Sequence, residues 1–283
     1  MPARTDFVTI DLPHLSLCAR QWGDASLPPL LTLHGWLDNA GSFARLAPLL
    51  ESRHHVIALE LPGHGHSDHL SAGSRYHFLD YVADVLAAAD ALQLSRYTLL
   101  GHSLGAGVAS LVASARPERI DRLFLIEGLG PLGDDGSRTL ERFRDALAPH
   151  DHNRKRLRVF TSIEQAIQAR SLVSGLAEDL ARPIVERGLI EVEDGWSWRS
   201  DPALTRPSAT RLAESQVHAL LRGITAPTAL LLAQPATSYL PGGPMQARAD
   251  CVRRISVEHM AGGHHLHLEH PQAVADWITS SSS

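Results

Sequence analysis

Short apolar runs alternate with longer amphipathic stretches through the first half of the chain, and that alternation restricts it to strands and helices wound into a mostly parallel sheet. Strands are expected at 7–10, 15–22, 30–34, 55–60, 97–101 and 123–127, and the pattern resumes at 227–232 and 254–257. The clearest helix spans His77–Leu92, where Phe78, Tyr81, Val82, Val85, Leu86, Ala89 and Leu92 recur at three- and four-residue steps on one packing face. A second helix opens at Pro271, since proline suits a first helical turn.

The texture changes after Glu127. GLGPLGDDGS reads as a loop, and the stretch to about His218 is rich in arginine, acids and helix formers, as in a helical insertion. The expected organisation is therefore one α/β domain in two parts, 1–131 and 223–283, split by a helical cap at 132–222. The basic run Arg154, Lys155, Arg156 and Arg158 in that insertion reads as a solvated helix face.

Composition narrows the function classes. A formal charge of −5 gives no footing for nucleic acid or an anionic membrane. Asp6 and Asp11 interrupt the N-terminal apolar stretch, so it lacks a signal peptide's core, and no later run reaches the length of a membrane span. Cys18 and Cys251 are far apart and without metal-ligand spacing, which reads as two reduced thiols in a soluble cytoplasmic protein. The expected partner is a small-molecule substrate, with no cofactor and no metal, and the oligomeric state is left open.

The chemistry concentrates in Gly101-His102-Ser103-Leu104-Gly105, between the apolar run TLL and the helix former AGVASLVASA. A serine on so sharp a strand-to-helix turn is pushed into a cleft, and the glycines two positions either side leave room for neighbouring chain. The following helix aims its free N–H groups at the same cleft, favouring a developing oxyanion. Upstream, His34-Gly35-Trp36 ends a buried strand with a glycine at the carboxyl edge of the sheet, where open α/β sheets bind ligands. The backbone N–H groups of Trp36 and Leu104 are thus the candidate oxyanion donors. His34, Asp38 and His102 are candidate substrate contacts, although Asp38 and Asn39 read first as loop-stabilising residues bonded to backbone. The glycine-flanked histidines of Glu60–Ser67 lack a second ligand cluster, which argues against a metal there.

HGWLDNAGSF at 34–43, LPGHGHS at 61–67, GHSLGAG at 101–107 and GGHHLHLEHP at 262–271 together resemble the α/β-hydrolase superfamily, and HGWLDN followed by SF resembles its serine hydrolase-like branch. The resemblance covers roughly 15–130 and 225–279. It implies an eight-stranded, mostly parallel sheet flanked by helices, with a variable cap. It also implies the chain order nucleophile, acid, histidine. On the family pattern of a small residue, any residue, histidine, then Glu-x-Pro, the base is His264, with His265 as runner-up; His267 and His270 read as helix-surface or capping residues. The acid departs from the commoner pattern, because Ala233–Ser238 holds no carboxylate. Glu127, closing the apolar run FLIE as the acid does in certain relatives, takes that place, with Asp134, Asp135 and Asp250 as weaker alternatives. The expected reaction is hydrolysis of a small ester or ester-like substrate through an acyl-enzyme. The rival reading is a non-catalytic ligand-binding or interaction protein on the same fold.

Overall fold

The computed structural model describes residues 7–148, 158–237 and 242–281. The chain-order strands are β1 (Phe7–Asp11), β2 (Ser16–Trp22), β3 (Pro29–Leu33), β4 (His55–Leu59), β5 (Tyr97–His102), β6 (Ile120–Ile126), β7 (Val159–Phe160), β8 (Leu189–Val192), β9 (Gly195–Trp198), β10 (Thr228–Gln234) and β11 (Ile255–Ala261). Eight of them form one sheet in the order β1-β2-β4-β3-β5-β6-β10-β11, antiparallel at β1-β2-β4 and parallel from β4 onward. The fold is that of an α/β hydrolase, with a helical insertion added.

Burial explains the split. Strand β2 alternates inward and outward side chains, as an antiparallel strand near an edge can, whereas β5 is buried along its whole length between helices on both faces. One apolar cluster packs Leu31, Leu33, Leu99 and Leu125 against Val85, Val108 and Val112 on one face; on the other, Leu30, Leu100, Phe124 and Leu231 meet Phe43, Val274 and Ile278. The helices Phe78–Ala91 and Pro271–Ser280 lie where the apolar periodicity and Pro271 put them. Strand β11 runs on to Ala261, past polar Glu258 and His259, because it pairs with β10 alone and its other edge can face water.

The insertion is helical, as expected, and adds a small sheet. Its helices Thr139–Leu147, Ile163–Ser174, Glu178–Gly188 and Glu214–Leu221 accompany an antiparallel sheet, β7-β9-β8. Val192 pairs with Gly195 across the Glu193-Asp194 turn, and the Asp194-Gly195 dipeptide between Ile190/Val192 and Trp196/Trp198 was the available hairpin signal. Helices 163–174 and 178–188 share a third apolar cluster that includes Phe160, Ile167, Ile184 and Leu268 from the segment after β11. Two further ties hold the insertion to the core: Arg187 grips the fully buried Glu60 through Nε (2.5 Å) and Nη2 (2.9 Å), and Asn39 Nδ2 donates to Ile184 O (2.8 Å). Of the basic run, Arg154, Lys155 and Arg156 lie outside the described residues, while the Arg158 guanidinium sits 4.9 Å from the Phe160 ring centre. No helix among the described residues is long and apolar enough to cross a membrane.

Candidate active site

Because β3, β5 and β6 are parallel neighbours, their carboxyl ends emerge side by side, and each is followed at once by a residue singled out above: His34, Ser103 and Glu127. Ser103 stands at φ 53°, ψ −112°, outside the conformations a serine prefers, and Glu127 also has φ 53°. Such strain costs of order 1–3 kcal/mol per residue and persists only where the surroundings over-determine it. Here they do: Ser103 N–H donates to Ile126 O (2.9 Å), Glu127 N–H to Leu231 O (3.0 Å) and Gly105 N–H to His34 O (3.0 Å). A Cβ on Gly105 would stand 2.1 Å from Leu33 O, and one on Gly101 2.4 Å from Gly105 O, so the sharp turn excludes larger residues at both positions.

His264 arrives from the loop after β11 and spans the gap. Its Nε2 lies 2.9 Å from Ser103 Oγ and its Nδ1 3.1 Å from Glu127 Oε2. An ionised carboxylate can only accept, so Nδ1 carries the ring proton and Nε2 is left to accept from the serine hydroxyl. Glu127 is 2 % exposed, and further donors compensate its charge: Ala233 N–H to Oε1 (2.6 Å) and Thr237 Oγ1–H to Oε2 (3.0 Å). The end of β10 and the residues after it thus supply donors to the carboxylate just past β6, where they carry no carboxylate of their own. Asp134 is engaged by Arg142 (2.7 Å) and Thr139 (2.7 Å), Asp135 by Ser137, and Asp250 by Gln246 (2.8 Å).

Leu104 opens its helix, so its N–H has no intrahelical acceptor. The Gly105 to His34 bond draws the Gly35-Trp36 turn against it. The Trp36 indole is 52 % exposed, with Nε1–H donating to Leu204 O (3.3 Å).

The side chains of His34, Asp38 and His102, the candidate substrate contacts, are buried and engaged with other parts of the protein. His34 donates through Nδ1 to Gly35 O (2.8 Å) and accepts Leu61 N–H at Nε2 (3.1 Å), bracing the turn. Asp38 holds side chains, not the loop backbone: Oδ1 pairs with Arg170 of the cap helix 163–174, and Oδ2 lies 3.3 Å from His265 Nε2. Burial opposes its charge, but Arg170, then His265 and His102, hold the carboxyl well below its usual range. Asn39 does cap its loop, accepting Gly41 N–H (2.9 Å). His267 is fully buried against Ser42 Oγ (2.8 Å), not on a helix surface, because the turn Leu266–Glu269 packs inward against the segment Ala40–Phe43. Asp38, His102 and His265 also bring ligand atoms within 4.8 Å of one another, a grouping spread over three segments that sequence spacing could not disclose.

The alpha/beta hydrolase fold family matches residues 28–201 of the chain. Serine hydrolase-like protein of Danio rerio is 30% identical over 278 residues, covering 95% of this chain and 85% of its own. Serine hydrolase-like protein 2 of Homo sapiens is 28% identical, covering 99% and 94%. A crystal structure of a hypothetical protein from Pseudomonas aeruginosa PAO1 superposes with a TM-score of 0.90 at 39% identity, covering 97% of this chain and 98% of that one. The chain therefore belongs to the alpha/beta hydrolase family, as a hydrolase-like enzyme closely related to the serine hydrolase-like proteins.

Proposed function

We propose that the protein is a serine hydrolase of small esters or ester-like compounds, working through an acyl-enzyme with Ser103 as nucleophile, His264 as general base and Glu127 as the acid that orients it. The observation that carries this reading is the continuous path from Ser103 Oγ to His264 Nε2 (2.9 Å) and from His264 Nδ1 to Glu127 Oε2 (3.1 Å), seated on a strained turn. His264 takes the serine proton as Oγ attacks the carbonyl carbon, and the imidazolium is balanced by Glu127. The Trp36 and Leu104 amides hold the oxygen that becomes negative. The histidine then returns its proton to the leaving group, and water activated by the same ring releases the acid. The names of the Danio rerio and Homo sapiens relatives support serine-based chemistry. Residues 132–222 act as the cap that sets acyl and leaving-group preference.

A fluorophosphonate active-site probe tests this directly. Labelling of the wild type that disappears in Ser103→Ala, together with turnover of short acyl esters, is the expected result. A folded wild type that neither labels nor turns over would make the protein a binder on a hydrolase fold.

A further inference from the structure

His102 has one ring nitrogen accounted for and one not. Its Nε2 lies 2.8 Å from the His264 carbonyl oxygen, which can only accept, so Nε2 bears the proton. Nδ1 is therefore a bare lone pair, fully buried and without a hydrogen-bond partner among the described residues. What it faces is another acceptor, Asp38 Oδ2, 3.9 Å away. Asp38 has Arg170 on its other oxygen and His265 beside this one, but nothing among the described residues donates to His102 Nδ1, and a buried acceptor left so is unfavourable.

The third member is His265, whose Nε2 is 3.3 Å from the same Oδ2. The gap is bounded by Gly35: a Cβ there would sit 3.0 Å from His102 Nδ1 and 3.1 Å from Asp38 Oδ2, filling it. The outer partners also match those of a metal site. Ligating histidines donate their second N–H to a carbonyl, and ligating carboxylates are hydrogen-bonded in turn; here His102 donates to His264 O and Asp38 Oδ1 binds Arg170.

We propose that Asp38, His102 and His265 form a binding site for one zinc-class divalent cation, which joins the loop carrying Trp36, the strand end carrying Ser103 and the loop carrying His264. Two imidazoles and one carboxylate suit zinc, whereas calcium and magnesium require a shell of oxygens. A tetrahedral zinc with bonds of about 2.0–2.1 Å has ligand edges of about 3.4 Å. The Asp38–His265 edge of 3.3 Å already has that length, the Asp38–His102 edge of 3.9 Å exceeds it by about 0.5 Å, and all three ligand atoms lie within 4.8 Å of one another. The cation is a staple and not the attacking group, so the site stands independently of the hydrolase reading.

The test uses the full chain, stripped with a chelator and titrated with zinc chloride alone. One equivalent bound, a rise in Tm, and visible ligand-field absorption on replacing zinc with cobalt(II) are expected. Affinity falls at least about tenfold in His265→Ala and in Asp38→Asn and is unchanged in His259→Ala, an exposed histidine elsewhere. Substoichiometric zinc on the wild type overturns the proposal even if a variant fails to fold. So does binding that survives His265→Ala, since the ion would then sit on other histidines. Probe labelling of Ser103 in the zinc-free protein reports on the hydrolase reading separately.

Discussion

Glu127 shows how one residue can be legible in sequence and still depend on tertiary structure. An apolar run that ends in a carboxylate signals a buried charge that needs partners, and FLIE ends so. The partners themselves, the Ala233 amide and the Thr237 hydroxyl, come from more than a hundred residues away and carry no mark of the role. Replacing Glu127 by Gln keeps the shape and one acceptor but removes the charge that, in the proposed mechanism, selects the His264 tautomer and balances the imidazolium. By the behaviour of such acids elsewhere, kcat is expected to fall on the order of 10³–10⁴-fold, with cooperative thermal unfolding retained. A rate near wild type would transfer the role to another carboxylate. Ser103 and His264 were legible for simpler reasons: the serine stands between two glycines at a strand-to-helix junction, and the histidine in a glycine-led segment after the last strand. Asp38 was misread, because an aspartate in a loop offers the same signal whether it bonds its own backbone or a distant arginine.

At the scale of elements, the parallel strands were readable from apolar runs because burial on both faces leaves little room for polar residues. The small sheet of the insertion was not, because eight of its ten residues belong to one short hairpin, Leu189–Val192 and Gly195–Trp198, embedded among helix formers. Among the ties that fasten this insertion beside the site are two charge pairs, Arg170 with Asp38 and Arg187 with Glu60. The Glu60 carboxylate also accepts Ala40 N–H (3.0 Å) and His66 N–H (2.7 Å), so it is fully committed inside the protein. Removing only its cation leaves a charge that water cannot reach. Arg187→Met is expected to cost about 3–5 kcal/mol in urea unfolding, and adding Glu60→Gln to restore part of that loss. Strict additivity of the two changes would show that the pair does not couple cap to core.

For the molecule as a whole, the concentration of neutral buried histidines near the sheet's carboxyl edge makes stability depend on pH. His64 is fully buried and donates through Nδ1 to Pro62 O (3.0 Å); burial first, then His34, bring its pKa down to about 3. His34 is lowered too, again chiefly by burial. Below the ordinary value of 6.5 the unfolded chain takes up protons that the folded chain refuses. The stabilisation is therefore complete above about pH 6.5 and is lost progressively as pH falls towards about 3, by up to about 1.4 kcal/mol per pH unit for each such histidine. Urea unfolding is expected to show a loss of roughly 2 kcal/mol between about pH 7 and pH 5 from His64 alone, reduced in His64→Gln; a flat profile in the wild type would contradict it. By itself, the order of residues determined the alternation of strand and helix, the kink at Ser103 and the strand ends where chemistry gathers, since these follow from local periodicity and from where glycine is required. Only the folded chain decided which histidine meets which acid, that three segments enclose Asp38, and that two arginines clasp the cap. Those pairings join residues distant in the chain, 137 positions for His264 and Glu127 and 132 for Arg170 and Asp38, and nothing in the local pattern encodes a separation of that kind.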